Sequence, residues 1–528
     1  MDFRARFAPS PTGQVHIGNI RTAIFNWLTA RHCKGTFLLR IEDTDLERST
    51  QEAIDKLLEC MKWLGLDYDE EIMYQTAQSE KHKKAAQELR EKGKAYYLNP
   101  AEEHSPLLFK LPYDCDAMPF VRTIGEVEIS LAPNTDVTLN LCAVAYQTLS
   151  PKGKVVENTA SLAGFKDLCL MDAAGNELFR LNGDSMKTLS GNPQEKKVIS
   201  GAAKMKFIRR EVFFHDLVKG ELAKPLDSMK DFIIVRSDGS PVFHLANVYD
   251  DVQQRMTHII RGDDHVENTY RHLFLFEALG FPIPRYAHLP MIVNAAGKPY
   301  SKRDGDAFVG DFREKGYLPQ ALFNYLALLG WSPGDDREKM SREELVEAFE
   351  IERALCSPAQ FDMKKLTNMN GAYIAELSPE EFRNQIHPFA EKLCPVASGS
   401  PLLDKVADLM HSRTKTFADV AHWKYFFQKA EELEYDPKGL KKLLSDDTVR
   451  KAVETFAGKV KDSHTLTAQE VDDRIHAVEA EFGIQQDHLK QPLRIAVTGV
   501  TIGAGICETI ELLGGSECAI RIARALSL

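Results

Sequence analysis

The sequence predicts an α/β protein: a doubly wound parallel, Rossmann-like domain, split by a β-rich insertion and followed by an all-α C-terminal region. Three observations predict this architecture. Residues 6–45 read as strand, turn, helix and strand, with polar residues at the ends of the elements. Residues 101–230 alternate short strand patterns with Asn, Gly and Pro turns. From residue 376 onward, apolar residues recur at helical spacing nearly throughout.

Composition places the chain among ordinary globular proteins of several domains. Its 528 residues are 44% hydrophobic and 27% charged, enough to bury substantial cores. No apolar run approaches the roughly 18 residues of a membrane span, and the N-terminus resembles neither a signal nor a transit peptide. We therefore expect a cytoplasmic protein without a membrane partner. Nine cysteines without a close C-x-x-C pair predict reduced thiols and no zinc.

The net charge of −11 bears on the class of partner. An acidic chain does not coat nucleic acid by charge alone. A shaped RNA-binding face remains compatible with it, because the local field decides such binding.

The turn before the first predicted helix has the composition of a phosphate site. Gly13 and Gly18 leave the approach to the helix nearly bare of side chains, and His16 and Asn19 supply donors. A phosphate would therefore reach backbone N–H groups and the positive end of the helix over residues 20–31.

Two predicted strands are each followed directly by charged or ionisable residues. Residues 37–41 form an apolar strand followed by Glu42, Asp43 and Asp45, and residues 257–262 precede Asp263, Asp264 and His265. Strands of a doubly wound sheet present such residues at one edge, where ligands bind. A capping box at Ser49 and Glu52 is predicted to begin the helix after the first of these strands.

A second signature is the loop Gly297–Gly305, which reads Gly-Lys-Pro-Tyr-Ser-Lys-Arg-Asp-Gly. Its bounding glycines give flexibility, and the adjacent Lys302 and Arg303 give charge. Such a loop can fold over a triphosphate and neutralise a leaving pyrophosphate.

Together these stretches resemble class I glutamyl-tRNA synthetases. In that family a His-Ile-Gly-His-type tetrapeptide, here residues 16–19, contacts ATP, and residues 301–303 match the second half of its Lys-Met-Ser-Lys-Ser-type loop. Pro299 stands where the family commonly has the first lysine, which leaves Lys298 as its substitute or Lys302 alone. The resemblance implies catalytic roles for His16, Gly18, Asn19 and Lys302. The implied ATP contacts are His16, Gly18, Asn19, Asp264, Ser301, Lys302 and Arg303.

The amino acid site follows from the same resemblance. Glutamate brings two carboxylates and one ammonium, so its site needs guanidinium groups and a carboxylate. Arg6 and Arg261 are the candidates for the carboxylates, and Glu42 for the ammonium. Phe243 stands where the family usually has a tyrosine, a loss of one hydrogen bond worth about 1 kcal/mol. The implied glutamate-binding set is Arg6, Ala8, Ser10, Glu42, Phe243, Asn247 and Arg261.

The resemblance implies a glutamate–tRNA ligase of bacterial type, attaching L-glutamate to the 3′ end of tRNA(Glu) through a glutamyl-adenylate. ATP, Mg²⁺ with the nucleotide, tRNA(Glu) and L-glutamate are the expected ligands, without zinc, and we expect a monomer. The domain boundaries predicted with it are 1–100 and 231–285 for the two halves of the catalytic domain, 101–230 for an inserted acceptor-end-binding domain, 286–375 for a stem-contact domain and 376–528 for a helical anticodon-binding domain.

Several points stay open from the sequence. Strands are predicted in the insertion over 126–131, 136–145, 168–171 and 177–181. Its basic run is either a phosphate contact or a solvated charged face; the run is Lys196, Lys197, Lys204, Lys206, Arg209 and Arg210. Alternative functions are a non-discriminating or glutaminyl-specific tRNA synthetase, and a catalytically lapsed tRNA-binding paralogue.

Overall fold

A computed structural model describes residues 2–45, 48–463 and 465–528. The chain forms two compact units. The first comprises Met1–Val309 and Leu326–Phe361, and the second comprises Gly310–Tyr325 and Asp362–Leu528.

The N-terminal elements of the first unit alternate strand and helix. They are β1 (Arg4–Phe7), α1 (Ile17–His32), β2 (Thr36–Ile41), α2 (Gln51–Trp63), β3 (Met73–Tyr74), α3 (Ser79–Glu91) and β4 (Ala95–Tyr97). The predicted cap of α2 is wrong by one residue. Thr50, in an extended conformation, accepts from the Ala53 N–H at 3.2 Å, and Ser49 lies outside the helix.

The insertion is built of antiparallel strands. Its elements are β5 (Leu107–Phe109), β6 (Val121–Ser130), β7 (Val137–Leu139), β8 (Ala143–Leu149), β9 (Val155–Ser161), β10 (Lys166–Met171), β11 (Glu177–Arg180), α4 (Gly183–Lys187), β12 (Lys197–Ile199), β13 (Lys204–Asp216) and β14 (Gly220–Pro225). One sheet has the order β12-β7-β8-β9. In the other, β13 is central and pairs with β6, β10 and β14.

The single strand predicted over 136–145 is wrong. The segment is a hairpin, in which β7 and β8 are joined by a turn at 140–142. The Asn140 side-chain oxygen accepts from the Cys142 and Ala143 N–H groups, both at 2.8 Å. An asparagine that satisfies the backbone in this way favours a turn over a continuous strand.

The second half of the sheet unit follows the insertion. Its elements, with those that lead towards the helical unit, are β15 (Phe232–Val235), α5 (Phe243–Gln253), β16 (His258–Gly262), α6 (Val266–Leu279), β17 (Arg285–Leu289), β18 (Ile292–Val293), α7 (Val309–Glu314), α8 (Pro319–Leu328), α9 (Arg342–Ala348) and β19 (Ala359–Gln360).

The parallel strands confirm the doubly wound prediction. β1 pairs with β2, β2 with β3, and β16 with β17, all in parallel. The first three strands and the pair β16–β17 meet where the Thr257 N–H donates to the Arg4 carbonyl at 3.1 Å. The resulting order is β3-β2-β1-β16-β17, with its switch point between β1 and β16. A ligand site is expected where these two strands end, after Phe7 and Gly262.

The insertion is joined to the rest of the first unit at two places. Asp216, the last residue of β13, pairs in parallel with Tyr286 of β17, so that one strand belongs to both sheets. At the other place, outside the parallel sheet, the half-buried Asp231 carboxylate accepts from Ser161 Oγ at 2.7 Å and from the Tyr96 hydroxyl at 3.0 Å. Burial raises the pKa of Asp231 to about 6. Residues from three segments thus converge on one carboxylate.

The second unit is helical, as predicted for the C-terminal region. Its helices beyond residue 361 are α10 (Met363–Ile374), α11 (Pro379–Leu393), α12 (Leu403–Met410), α13 (Pro437–Ser445), α14 (Asp447–Val460), α15 (Ala468–Phe482), α16 (Lys490–Thr498), α17 (Ile506–Leu513) and α18 (Gly515–Ser527). One apolar core centres on Trp423 and another on Phe456. Across the described residues of the whole chain, every helix is too short or too polar to cross a membrane.

Candidate active site

A cavity of about 590 Å³ lies at the switch point of the parallel sheet. Its walls come from the ends of β1, β2 and β16 and the starts of α1 and α5. Many residues singled out in the sequence line it together. They are Arg6, Ala8, Ser10, His16, Gly18, Asn19, Glu42, Phe243, Asn247, Arg261 and Asp264. The cavity therefore collects side chains from both halves of the sheet unit.

A chain of buried charges forms one wall. Arg6 Nε donates to Asp251 Oδ1 at 2.9 Å, and Arg40 Nη1 donates to the same oxygen at 2.6 Å. Arg40 Nη2 also lies 3.3 Å from Glu42 Oε1. Burial alone would raise the pKa of Asp251, but the two guanidinium groups outweigh it and lower that pKa. Asp251 is thus a carboxylate that holds two arginines behind the cavity.

Glu42 is fixed beside Asn247. Asn247 Nδ2 donates to Glu42 Oε1 at 2.7 Å, and the Asn247 side-chain oxygen is buried with no hydrogen-bond partner in the described part of the chain. Burial raises the pKa of Glu42, against the attraction of Arg40. A carboxylate and an unpaired amide oxygen together suit a ligand that carries N–H donors.

Arg261 is held on three sides, and one of its nitrogens is buried without a hydrogen-bond partner in the part of the chain that the structure describes. Its Nε donates to His288 Nε2 at 3.2 Å, its Nη2 donates to Thr269 Oγ1 at 2.6 Å, and its guanidinium lies 5.4 Å from the centre of the Tyr286 ring. Its Nη1 is buried and has no hydrogen-bond partner among the described residues. Burial lowers the pKa of Arg261 to about 10, which still leaves it charged at neutral pH.

The charged residues that line the cavity are Arg6, Arg21 and Arg261 on one side of the balance and Glu42, Asp263 and Asp264 on the other. Arg6 is paired with Asp251, whereas Arg261 forms no ion pair among the described residues. A buried charge without a counter-ion is unfavourable unless a ligand supplies one. The Nη1 of Arg261, which has no partner among the described residues, therefore predicts an anionic group in the bound ligand.

His16 is the N-cap residue of α1. Its Nδ1 accepts from the Gly18 N–H at 3.1 Å, so the neutral ring carries its proton on Nε2. Burial lowers the pKa of His16, and a hydrogen bond with the Tyr300 backbone opposes that shift. A Cβ on residue 18 would lie 3.3 Å from His16 Nδ1, so glycine suits this tight turn. The first N–H groups of α1 already have partners: Ile17 donates to the Ala307 carbonyl at 2.9 Å, Gly18 to His16 Nδ1 and Asn19 to the His16 carbonyl at 3.0 Å.

The 294–304 loop is closed by Asp304. This carboxylate accepts from the Ser301 N–H at 3.0 Å and from Asn294 Nδ2 at 2.7 Å. Attraction from these hydrogen bonds, Asn294 first, lowers the pKa of Asp304. The loop is therefore a defined turn with its basic residues at the surface.

The segment that follows this loop is hydrogen-bonded to the turn at His16. Segment 307–309 makes backbone hydrogen bonds of 2.9 and 3.0 Å with segment 15–17. The Phe308 ring lies edge-on to His16 at 5.9 Å, and Lys302 Nζ lies 5.8 Å from the centre of the Phe308 ring. The two signatures, distant in sequence, are neighbours in the fold.

Family models account for most of the chain. One described as "tRNA synthetases class I (E and Q), catalytic domain" matches residues 2–105 and 180–368. A second, "Anticodon binding domain", matches residues 382–526. The chain belongs to the class I tRNA synthetases of the E and Q group. The predicted family and enzyme class are confirmed, and the family's use of ATP follows.

Curated relatives of this synthetase agree over its full length. A protein from Geotalea uraniireducens named glutamate–tRNA ligase is 35% identical over 528 residues, covering 100% of this chain and 98% of its own. One of the same name from Trichlorobacter lovleyi is 36% identical over 526 residues, covering 99% and 98%.

A solved structure has the same fold. It is a glutamate tRNA ligase from Elizabethkingia meningosepticum in complex with its amino acid, with a TM-score of 0.67 and 24% identity. The alignment covers 100% of this chain and 99% of the other.

Three residues of the predicted ATP set lie elsewhere in the synthetase. Ser301, Lys302 and Arg303 are outside the walls of the cavity, whereas the preceding Pro299 and Tyr300 are part of them. The loop therefore reaches the cavity by its first half, with its basic residues beyond the rim.

Sequence reasoning missed the supports behind the site. Arg40 and Asp251 hold Arg6, and Thr269 and His288 hold Arg261. One signal was available: Asn247 and Asp251 are four residues apart, which puts them on one face of α5. Arg40 and His288 lie within apolar runs that read as ordinary core, and Thr269 lies in a polar stretch without a motif.

The basic run of the insertion is largely paired with acidic groups. Lys204 and Lys206 form ion pairs with neighbours on β6, and Arg209 with a residue after β14. The pairs are Lys204–Glu128 at 2.9 Å, Lys206–Glu126 at 2.7 Å and Arg209–Asp227 at 2.7 Å. This pairing favours a solvated charged face over a phosphate contact for these residues, whereas Arg210 is fully buried and donates to the Tyr113 carbonyl at 2.8 Å.

Proposed function

We propose that the chain is a glutamate–tRNA ligase, which attaches L-glutamate to the 3′ end of tRNA(Glu) through a glutamyl-adenylate. The observation that carries the proposal is the unpaired, buried Nη1 of Arg261 in a cavity that also contains Glu42 and Asn247. Glutamate offers two carboxylates and one ammonium, which complement this set. Relatives that carry this name over the full length support it.

In the proposed binding mode, Arg6 and Arg261 receive the carboxylates of glutamate. Glu42 receives the ammonium, and Ala8, Ser10, Phe243 and Asn247 complete the pocket. Phe243 contributes a ring without a hydroxyl, packed 5.4 Å from the His265 ring. ATP occupies the neighbouring space, its phosphates towards the positive end of α1 and the His16 turn, with Asp264 beside it.

The chemistry requires positioning and charge more than a protein nucleophile. A carboxylate oxygen of glutamate attacks the α-phosphorus of ATP, forming a mixed anhydride as the bond to pyrophosphate breaks. A ribose hydroxyl at the tRNA end then attacks the activated carbonyl, and AMP leaves. His16, Gly18, Asn19 and Lys302 are the proposed catalytic group. Lys302 supplies positive charge as negative charge moves to pyrophosphate, and the other three, which are neutral, position the nucleotide. Ser301 and Arg303 assist at the same phosphates.

Further assignments belong to this proposal. Mg²⁺ accompanies the nucleotide without an assigned protein ligand. Residues 101–230 hold the acceptor end, 286–375 contact the stem, and 376–528 bind the anticodon; the anticodon-domain match to 382–526 supports the last of these. A monomeric state, a cytoplasmic location and the absence of zinc stay predictions.

Charging of purified tRNA tests the function. The wild-type chain is expected to attach labelled glutamate to tRNA(Glu) in the presence of ATP and Mg²⁺, and to leave labelled glutamine unused. Glutamine attached to tRNA would support the glutaminyl alternative. Binding of tRNA without charging of either amino acid would support a lapsed paralogue, and both outcomes contradict the proposal.

A further inference from the structure

The most constrained group in the cavity is Arg261, and what constrains it is a second layer of buried side chains. Its Nε faces His288 Nε2 at 3.2 Å, and the Thr269 hydroxyl lies 3.0 Å from that same ring nitrogen. On the other side of the ring, His288 Nδ1 lies 2.6 Å from Asp216 Oδ2. Asp216, His288 and Thr269 are all fully buried.

The protonation of His288 follows from its neighbours. A guanidinium nitrogen only donates, so Nε2 of the ring has to be an unprotonated acceptor. The Asp216 carboxylate only accepts, so Nδ1 has to carry the proton. Burial lowers the pKa of His288, against the opposing hydrogen bond with Asp216, which agrees with a neutral ring. One tautomer, with the proton on Nδ1, satisfies every contact.

Asp216 is itself rigidly placed. Its Oδ1 accepts from the Val218 and Lys219 N–H groups at 2.9 Å each, and the His288 N–H lies 3.1 Å from Oδ2. These hydrogen bonds favour the ionised form, and the pKa of Asp216 is lowered despite its burial. The carboxylate can therefore impose one tautomer on the ring.

We infer that His288 and Asp216 are positioning residues for the amino acid substrate: through a fixed Nδ1–H tautomer they orient Arg261 so that its Nη1 is presented to a carboxylate. The inference rests on the proposed function for the identity of that carboxylate. His288 and Asp216 do not line the cavity, so they act through Arg261.

Asp216 lies where the inserted sheet meets the parallel sheet. It is the last residue of β13, the central strand of the inserted sheet, and the same turn carries Lys219, whose Nζ lies 3.1 Å from Asp263 Oδ2 at the cavity wall. The strand that unites the two sheets thus ends on the group that orients Arg261.

The tautomer can be measured on the wild-type protein without any activity. In long-range ¹H–¹⁵N spectra of the full chain labelled in histidine, at neutral pH, His288 is expected to show a protonated Nδ1 and an unprotonated Nε2. The signals are assigned by their loss in His288→Gln. A proton on Nε2, or on both nitrogens, would overturn the inference.

Kinetics supply the second arm. His288→Asn retains a donor for Asp216 but is too short to offer an acceptor to Arg261, whereas His288→Gln places an oxygen near the former Nε2. The KM for glutamate is expected to rise about 10- to 100-fold in His288→Asn and less in His288→Gln, the range for a lost hydrogen bond to a charged group. The KM values for ATP and tRNA should stay within about twofold.

Asp216→Asn reverses the polarity of the same hydrogen bond. Its amide would donate to Nδ1 and move the ring proton to Nε2, where it opposes the Arg261 N–H, so this variant should raise the KM for glutamate as His288→Asn does. The control is His387→Gln, which breaks an exposed pair with Asp404 at 2.8 Å in the helical unit. An equal rise in all three KM values, or lowered thermal stability with an unchanged glutamate KM, would refute positioning. A wild-type chain without glutamate charging would instead refute the proposed function and leave the tautomer measurement to decide.

Discussion

Asp251 is the residue that makes the buried arginines of the cavity compatible with folding. It lies between Arg6 and Arg40, and all three side chains are withdrawn from water. Removing one partner of a buried ion pair leaves an uncompensated charge, which costs much more than the pair contributes. The stability of this wall therefore depends on a side chain that does not line the cavity.

Asp251→Asn is expected to lower the free energy of unfolding by about 3–5 kcal/mol, since two guanidinium groups lose their shared counter-ion. Urea denaturation followed by circular dichroism measures it. The control is Glu70→Gln. Glu70 is the exposed ion-pair partner of Arg4, which lies on the same strand as Arg6, and the two charged groups are 2.8 Å apart. This variant should lower the free energy of unfolding by at most about 1 kcal/mol. Equal losses in the two variants would contradict the role given to Asp251.

Single residues also show how far the sequence could predict the site. Arg6, Glu42 and Arg261 were predicted as a set, because ligands bind at the ends of parallel strands and the family resemblance assigns these residues to glutamate. Asp251 was not, because its contact with Arg6 spans 245 residues and depends on how α5 packs against β1. His288 was missed because its neighbours in sequence are apolar and its partners come from other strands.

Among the elements, the 294–304 loop decides whether the phosphate chemistry is as proposed. Asp304 and Asn294 hold it as a turn, and Lys302 lies beside Phe308, which contacts the His16 ring. A lysine beyond the rim of the cavity reaches a phosphate only when the loop moves or the side chain extends. In the proposed mechanism, this loop therefore supplies a positive charge and also the movement that brings it to the phosphate.

Lys302→Ala is expected to reduce adenylate formation by about 10²- to 10³-fold, because the leaving pyrophosphate loses its positive partner. Pyrophosphate exchange with tRNA(Glu) present measures the step. Lys298→Ala is the matched control in the same loop, and its loss should be at least about tenfold smaller. Near-normal exchange by the Lys302 variant would refute its role, and a larger loss in Lys298→Ala would transfer that role to Lys298.

The types of element were predictable, whereas some boundaries were not. Periodicity located the first helix and the helical region, because an apolar face recurs wherever a helix packs on a core. It failed at residues 136–145, where Asn140 closes a turn by hydrogen bonds that no alternation of polar and apolar residues encodes. The α2 cap is Thr50 and not Ser49; both residue types are favoured N-caps, so two adjacent candidates leave the boundary uncertain by one residue.

At the scale of the whole molecule, the cavity is assembled from distant parts of the chain. Arg6 and Glu42 come from before the insertion, Arg261 from a strand after it, and Pro299 and Tyr300 from a later loop whose Lys302 lies beyond the rim. The doubly wound order brings the first two groups to one edge. The insertion is joined to this sheet through Asp216, which pairs with Tyr286 of β17.

The most direct test of this account is titration calorimetry of glutamate and glutamine binding to the wild-type chain and to Arg261→Met. The unpaired Nη1 predicts that the wild type binds glutamate and barely binds glutamine. It also predicts that Arg261→Met weakens glutamate binding by about 100-fold or more, since a buried charge pair is lost. Equal binding of the two amino acids by the wild type, or undiminished glutamate binding by Arg261→Met, would contradict it.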